Sequence, residues 1–257
     1  MALFRLGVSW KAGLLFCFAA TAAEQPSSLR LVTLEYPPYV EIKDDKPDGL
    51  SIWLVEALMQ RLQQEHRIEV LPWKRALWQL ETGAADAVFP VLKTPGRETK
   101  MVFMAEPLTN ENVMLFSRCD EAIAFDSELK FLRNKRVCVQ QGFSIGLRAD
   151  ELFQTGWMER VNANHQSDCL RMLHMGVARF YLVDRYAGAY VIQQSQYKHV
   201  VRPFGEPLEM TPVYLAWNKD SVDEHLITAA NDAFEQMLES GEHQRLLQRF
   251  QDEVVSR

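Results

Sequence analysis

Two charged residues stand at positions where side chains are commonly presented to a ligand. Arg97 closes the run Thr94-Pro-Gly-Arg97, just after the strand-like segment Asp86 to Val91. A guanidinium there can offer two parallel N–H donors to a planar carboxylate. The plainer reading is a solvated loop cation, since most arginines are exposed. Asp184 follows the strand-like run Phe180 to Val183 and opens a helix, a junction where an Asp often serves as N-cap. Tyr36, Tyr39, Trp73 and Phe89 all fall at ends of predicted strands. Flat rings there can sandwich a side chain or cover a cation, or they can simply pack the core. Phosphate-cradling loops and dinucleotide fingerprints are absent. No Cys-x-x-Cys occurs and the six histidines do not cluster, so neither a metal nor a cofactor is expected.

The elements that must position these residues alternate. Leu29 to Leu34 reads as a strand, stopped by the prolines of Glu35-Tyr-Pro-Pro-Tyr39. Asp44 to Gly49 is a turn-rich tip, and Leu50 to His66 has apolar residues at helical spacing. A short strand (Ile68 to Leu71), a short helix (Arg75 to Glu81) and the strand Asp86 to Val91 complete a β-α-β-α-β series. The series recurs, with strands at Arg136 to Gln140, Phe180 to Val183 and His199 to Arg202. Its helices end near Phe153, at Met175 and near Ile192. Such alternation predicts an α/β fold with parallel sheets. Val113 to Ser117 and Val213 to Asn218 flank the second series as strand-like crossings, and Val222 to Phe250 is helical with a break near Gly241. The expected organisation is lobe I from 24–110 and 211–257, with lobe II, 111–210, inserted through a two-strand hinge. A cleft between two such lobes is a usual place for a ligand.

The first 23 residues read as a cleaved signal peptide. Arg5 and Lys11 supply positive charge, Gly13 to Ala20 is a short apolar core, and small residues follow to Ala23. The expected location is therefore the periplasm. Removing this segment takes the net charge from −6 to about −8, a poor balance for nucleic acid or anionic lipid. Of the four cysteines, Cys119, Cys138 and Cys169 then remain. An oxidising compartment favours one disulfide among them, and the sequence leaves the pairing open.

Several motifs in order give the chain a family likeness. They are Glu35-Tyr-Pro-Pro-Tyr39, Gly83-Ala-Ala-Asp86, Thr94-Pro-Gly-Arg97, Phe103 with Pro107, Val137 to Gly142, and Gly176 eight residues before Asp184. Together they resemble the bacterial extracellular solute-binding proteins of family 3, periplasmic binders of polar amino acids. The resemblance covers essentially all of the chain after the signal segment. It implies a periplasmic binding protein type II fold. It also implies that Arg97 forks onto a ligand α-carboxylate and that Asp184 accepts from the ligand ammonium. Pro72-Trp73-Lys74-Arg75-Ala76 resembles a Pro-Trp-x-x-Ala segment of one branch, which makes Arg75 a second candidate cation, or else a solvated helix residue. The sequence departs from the family where Leu92 replaces a Ser or Thr, Pro90 a Gly, and Phe143 a Thr, with Ser144 next to it as a donor. The site should therefore be more aromatic and less polar than a typical glutamine or histidine site. The expected role is delivery of an amino acid or related carboxylate to an ABC-type importer permease. The alternatives are a sensor serving a separate membrane receptor, and a dehydratase-like enzyme for which Glu35, Lys93 and His165 are the available acid–base groups.

Overall fold

The first strand, β1 (Leu29–Thr33), is buried at every residue but Arg30, as a strand covered on both faces must be. The computed structural model in which it sits describes residues 28–255, so the expected signal segment lies outside the described residues. A small hairpin follows, β2 (Glu41–Lys43) and β3 (Lys46–Asp48), whose tip is Asp44-Asp45 with both φ angles positive. Next come α1 (Leu50–Arg61), β4 (His66–Val70), α2 (Trp73–Glu81) and β5 (Ala87–Leu92). β4 and β5 both pair with β1 in parallel. This is the first β-α-β-α-β series, and the sequence alternation located it to within two residues at most ends.

The short α3 (Pro95–Glu98), N-capped by the Thr94 side chain, and β6 (Met101–Phe103) lead to β7 (Thr109–Arg118). The second series is β8 (Arg136–Gln140), α4 (Leu147–Gln154), β9 (Glu159–Ala163), α5 (Gln166–His174), β10 (Phe180–Asp184) and α6 (Arg185–Gln193). β8 pairs in parallel with both β9 and β10. Sequence periodicity did not reveal β9, whose Arg160 and Asn162 give it a polar look. α4 also begins later than expected, because residues 141–146 form a loop.

Two long strands join the series. β11 (Val201–Asn218) runs antiparallel to β7 from Val201 opposite Arg118 to Val213 opposite Thr109. From Val213 onward β11 pairs with β5 and β6, and the other edge of β7 pairs with β10 from Val113 to Phe116. The sheet order is β4-β1-β5-β11-β7-β10-β8-β9, with β6 beside β11. The sequence divided β11 into two strands because Pro203, Gly205, Pro207 and Pro212 interrupt its apolar pattern. The structure keeps it extended and absorbs the break as a register slip between Phe204 and Glu209. Gly205 makes the slip possible: its φ is +69°, and a Cβ there would come 2.1 Å from the Phe125 ring. The chain ends in α7 (Glu224–Glu239) and α8 (Glu242–Val255), separated at Gly241 as the sequence indicated.

Strand alternation sorts the core. Val137 and Val139 of β8, and Phe180 and Leu182 of β10, face a cluster with Phe131 and Phe204. Cys138, Tyr181 and Val183 face the other way, onto α5 and α6. On that face Cys138 is bonded to Cys169 of α5, with Cα atoms 5.6 Å apart, and Cys119 is an exposed thiol. A bridge across 31 residues contributes about 4 kcal/mol by loop-closure entropy. Replacing both bridged cysteines by alanine should lower the unfolding free energy by about 3–4 kcal/mol in urea titrations. Thiol counting on denatured chain 24–257 should give one reactive group before reduction. Three before reduction would mean that the pair does not form.

Candidate functional site

The carboxyl ends of β1, β4 and β5 meet those of β8 and β10, the edge where parallel α/β sheets present ligand-contacting loops. After β1 the chain closes a tight turn in which Tyr36 N–H donates to Val40 O at 2.9 Å and Val40 N–H returns to Tyr36 O at 3.0 Å. Pro37 and Pro38 lie inside the turn, where neither can offer an N–H. The turn stacks the rings of Tyr36 and Tyr39 at 5.5 Å. Trp73 is the first residue of α2, and its indole N–H donates to Gly142 O at 3.2 Å across the gap. Phe143 meets Trp73 and Tyr36 edge-on, at 6.1 and 5.7 Å.

Tyr36, Trp73 and Phe143 border one small cavity. Leu34, Tyr36, Trp73, Pro90, Leu92 and Arg97 line one side, with Phe143, Ser144, Ile145 and Asp184 on the other. Glu111, Val113 and Val213 come from the two long strands. Most of this wall is apolar or aromatic, and Arg97, Glu111 and Asp184 are its acid and base groups.

Arg97 lies on α3. Its Nη1 donates to Leu92 O at 2.7 Å, and its guanidinium sits 5.6 Å from the Trp73 ring centre. It makes no ion pair with a described residue. Burial pulls its pKa below the usual arginine value, opposed by the charges of Asp150 and Glu81, and the group stays cationic.

Asp184 is 2% exposed and caps α6. Its Oδ1 accepts from Tyr39 Oη at 2.8 Å, Tyr186 N–H at 2.8 Å and Ala187 N–H at 3.0 Å. Its Oδ2 accepts from Asn112 N–H at 3.0 Å. Gly188 lets α6 lie this close to β7, since a Cβ there would sit 2.3 Å from the Phe116 ring. Burial raises the Asp184 pKa, and the surrounding donors pull it back.

Sequence reasoning did not pick out Glu111. It lies in Asn110-Glu111-Asn112, where nothing distinguishes it from a solvated strand residue. In the structure its Oε2 accepts from Tyr36 Oη at 3.2 Å. Burial, then the nearby Asp184 charge, lifts its pKa well above the usual glutamate value. Tyr36 and Tyr39 are pushed upward as well, by burial first and then by these carboxylates, so both stay neutral donors.

Of the residues chosen from sequence, Arg97, Asp184, Tyr36, Trp73 and Ser144 surround this cavity. Three others lie elsewhere. Phe89 has no exposed surface because β5 is covered on both faces. Tyr39 lies behind the cavity, its ring stacked on Phe250 at 5.2 Å while its hydroxyl reaches Asp184. Arg75 is exposed, on a side of α2 that does not line the cavity. Gly142-Phe-Ser144-Ile-Gly146 also has the Gly-x-Ser-x-Gly spacing of a hydrolase nucleophile turn. There the Ser144 hydroxyl donates to Asp150 rather than to a histidine, so no nucleophile–base pair forms. Among the described residues no cluster of His, Cys, Asp and Glu is arranged to hold a metal ion.

The model of the bacterial extracellular solute-binding proteins, family 3, matches residues 29–253. The chain belongs to that family. A comparison with curated proteins gave no match. Among solved structures, the chain is similar to a histidine kinase sensor domain with similarity to periplasmic binding proteins. The two are 19% identical with a TM-score of 0.76, over 87% of this chain and 96% of that one. It is also similar to an ancestral arginine-binding protein bound to arginine, at 18% identity and TM-score 0.74, over 87% and 97%. A third is an ancestral amino acid-binding protein described as a precursor of cyclohexadienyl dehydratase. That one is 20% identical with a TM-score of 0.69, over 87% and 94%. The architecture is thus the periplasmic binding protein fold, two α/β lobes joined by two crossing strands with the cleft between them. Members of the family bind small solutes outside the cytoplasm, and no helix among the described residues is long and apolar enough to cross a membrane.

The raised pKa of Glu111 fixes the sign of a pH effect. Below the ordinary glutamate value of about 4.5 the group is protonated whether the chain is folded or not. As pH rises above that value the unfolded chain releases the proton first, so stability falls until the folded group has ionised too. Glu111→Gln removes this penalty while keeping the shape. Its melting temperature should match wild type near pH 4 and exceed it at pH 7 by about 2–4 °C for each kcal/mol relieved. Calorimetric scans across this range check it, and parallel curves for the two proteins would refute it.

Proposed function

We propose that the cleft binds a small amino-acid-like carboxylate and that the chain delivers it, without chemical change, to an ABC-type importer in the inner membrane. The single observation that carries this reading is the guanidinium of Arg97. It is partly buried in an apolar and aromatic cavity, holds no anion of the protein, and faces a space that also contains two carboxylates. A ligand carboxylate against Arg97 and a ligand cation toward Glu111 and Asp184 would complement both ends. Trp73, Tyr36 and Phe143 would cover what lies between.

The lobes in this reading are 24–110 with 211–257, and 111–210. Contacts across that division support a closing cleft: Trp73 to Gly142, Tyr39 to Asp184, and Tyr190 Oη to Glu41 Oε2 at 3.2 Å. A ligand touching both sides would favour the closed form through contacts that the open form lacks. A periplasmic location rests on the signal-like first 23 residues and fits the Cys138–Cys169 bridge, which needs an oxidising compartment. Non-enzymatic action is supported by the placement of the acid–base candidates. Lys93 pairs with Glu98 at 3.0 Å, and none of Glu35, Lys93 and His165 lines the cavity beside Arg97. A second reading, ligand sensing for a separate membrane receptor, is favoured by the similarity to a kinase sensor domain.

A thermal-shift series over L-amino acids and their carboxylate relatives tests the proposal. A ligand at 100 times its dissociation constant should add about 2.7 kcal/mol, or roughly 5–10 °C in a chain of this size. Arg97→Ala should abolish the shift while leaving the ligand-free melting temperature near that of wild type. A full shift in this variant would rule out the assigned carboxylate contact.

A further inference from the structure

The two carboxylates at the cavity differ in what they have left to offer. Asp184 already accepts four hydrogen bonds, three of them from backbone N–H groups and one from Tyr39. A carboxylate has about four lone-pair directions, so this set nearly exhausts it. Its oxygens are also the N-cap of α6 and the tie between α6 and β7. Three of these donors crowd Oδ1 and one reaches Oδ2, so a ligand ammonium could approach Asp184 only at Oδ2, beside the Asn112 N–H.

Glu111 stands one residue before Asn112 on β7 and lines the same cavity. One hydrogen bond reaches it, from Tyr36 to Oε2. Oε1 receives none from a described residue, and Glu111 lines the cavity. Glu111 forms no ion pair with a described residue, and the charge that acts on it is that of another carboxylate, Asp184. Arg97 lines the same cavity and likewise forms no ion pair with a described residue. The cavity thus holds one carboxyl group with an oxygen that no described donor reaches and one cation without a described anion.

We propose that Glu111, rather than Asp184, receives the ligand's ammonium group, and that Asp184 is the capped support which fixes β7 and α6 around it. This assignment rests on the reading of the cleft as an amino-acid-type site. It makes Glu111 the residue that separates amine-bearing carboxylates from plain ones. The apolar wall between Glu111 and Arg97, built from Leu34, Trp73, Leu92, Phe143, Ile145 and Val213, selects a compact apolar or aromatic body.

The test pairs each L-amino acid with the acid that lacks its amine: L-phenylalanine with 3-phenylpropanoate, L-leucine with 4-methylpentanoate. Affinities are measured by calorimetry for wild type, E111Q, D184N and R97A. Wild type should prefer the amine-bearing member by at least tenfold. E111Q should reduce that preference to near unity and bind the plain acid as well as wild type or better. D184N should melt lower without ligand yet keep the preference, and R97A should weaken both members together. A tenfold preference retained in E111Q overturns the assignment, and one lost only in D184N transfers it to Asp184. If D184N does not fold, E111Q decides alone. Binding of both members through Arg97 with no preference in wild type defeats the Glu111 assignment and leaves the carboxylate site standing. Failure of every pair to bind wild type defeats both.

Discussion

A carboxylate can be kept out of water only where enough donors converge on it, and the architecture around the cleft is arranged to bring four to Asp184. Two come from the first turn of α6, one from the backbone of β7, and one from Tyr39, 145 residues away in sequence. The donors come from three different elements, so satisfying this one group fixes the relative placement of the β1 turn, the long strand β7 and the helix behind β10. Removing any donor would leave buried charge uncompensated, which costs more than an ordinary hydrogen bond contributes. Glu111 and Tyr36 are placed by the same constraint, because Glu111 is the neighbour of Asn112 and Tyr36 stacks on Tyr39.

The cavity that results is unusual in its balance. Arg97, Glu111 and Asp184 are its ionisable groups, and most of the remaining lining is apolar or aromatic. The departures from the family pattern visible in the sequence explain this. Leu92, in place of a hydroxyl residue, leaves Arg97 only a backbone carbonyl to lean on. Phe143, in place of Thr, puts a ring against Trp73 and Tyr36 where another donor would otherwise stand. Ser144, the remaining hydroxyl, is turned away to Asp150. Fewer neutral hydrogen-bonding groups mean that discrimination must come from charge placement and from shape, a narrower but steeper basis for selection.

How much of this was legible beforehand depends on the range over which each feature is determined. The alternating series, the break at Gly241 and the two flanking crossings are local signals, and they appear in the structure where the pattern put them. β9 was invisible because a strand with polar Arg160 and Asn162 has no apolar alternation to read. β11 was misread as two strands because prolines and a glycine signal breaks, whereas pairing with β7 keeps the backbone extended through them. Among site residues, Arg97 and Trp73 were readable because motif spacing ties them to strand ends. Phe89 and Tyr39 shared that signal and ended in the interior, since periodicity gives a position along a strand but not the depth of the layer covering it. Glu111 carried no local mark at all. What sets it apart is the company of Tyr36 and Asp184, 75 and 73 residues distant, which only the folded chain assembles.

Phe250 stacks on Tyr39 at 5.2 Å and meets Tyr186 edge-on at 5.6 Å, so a ring from the last helix wedges between the residues that hold Asp184 from both directions. The order of synthesis therefore runs against early completion of the cleft. A nascent chain that has not yet reached residue 250 carries every residue that lines the cavity yet has no ring behind Tyr39. The cleft thus leans on a ring that lines no part of it.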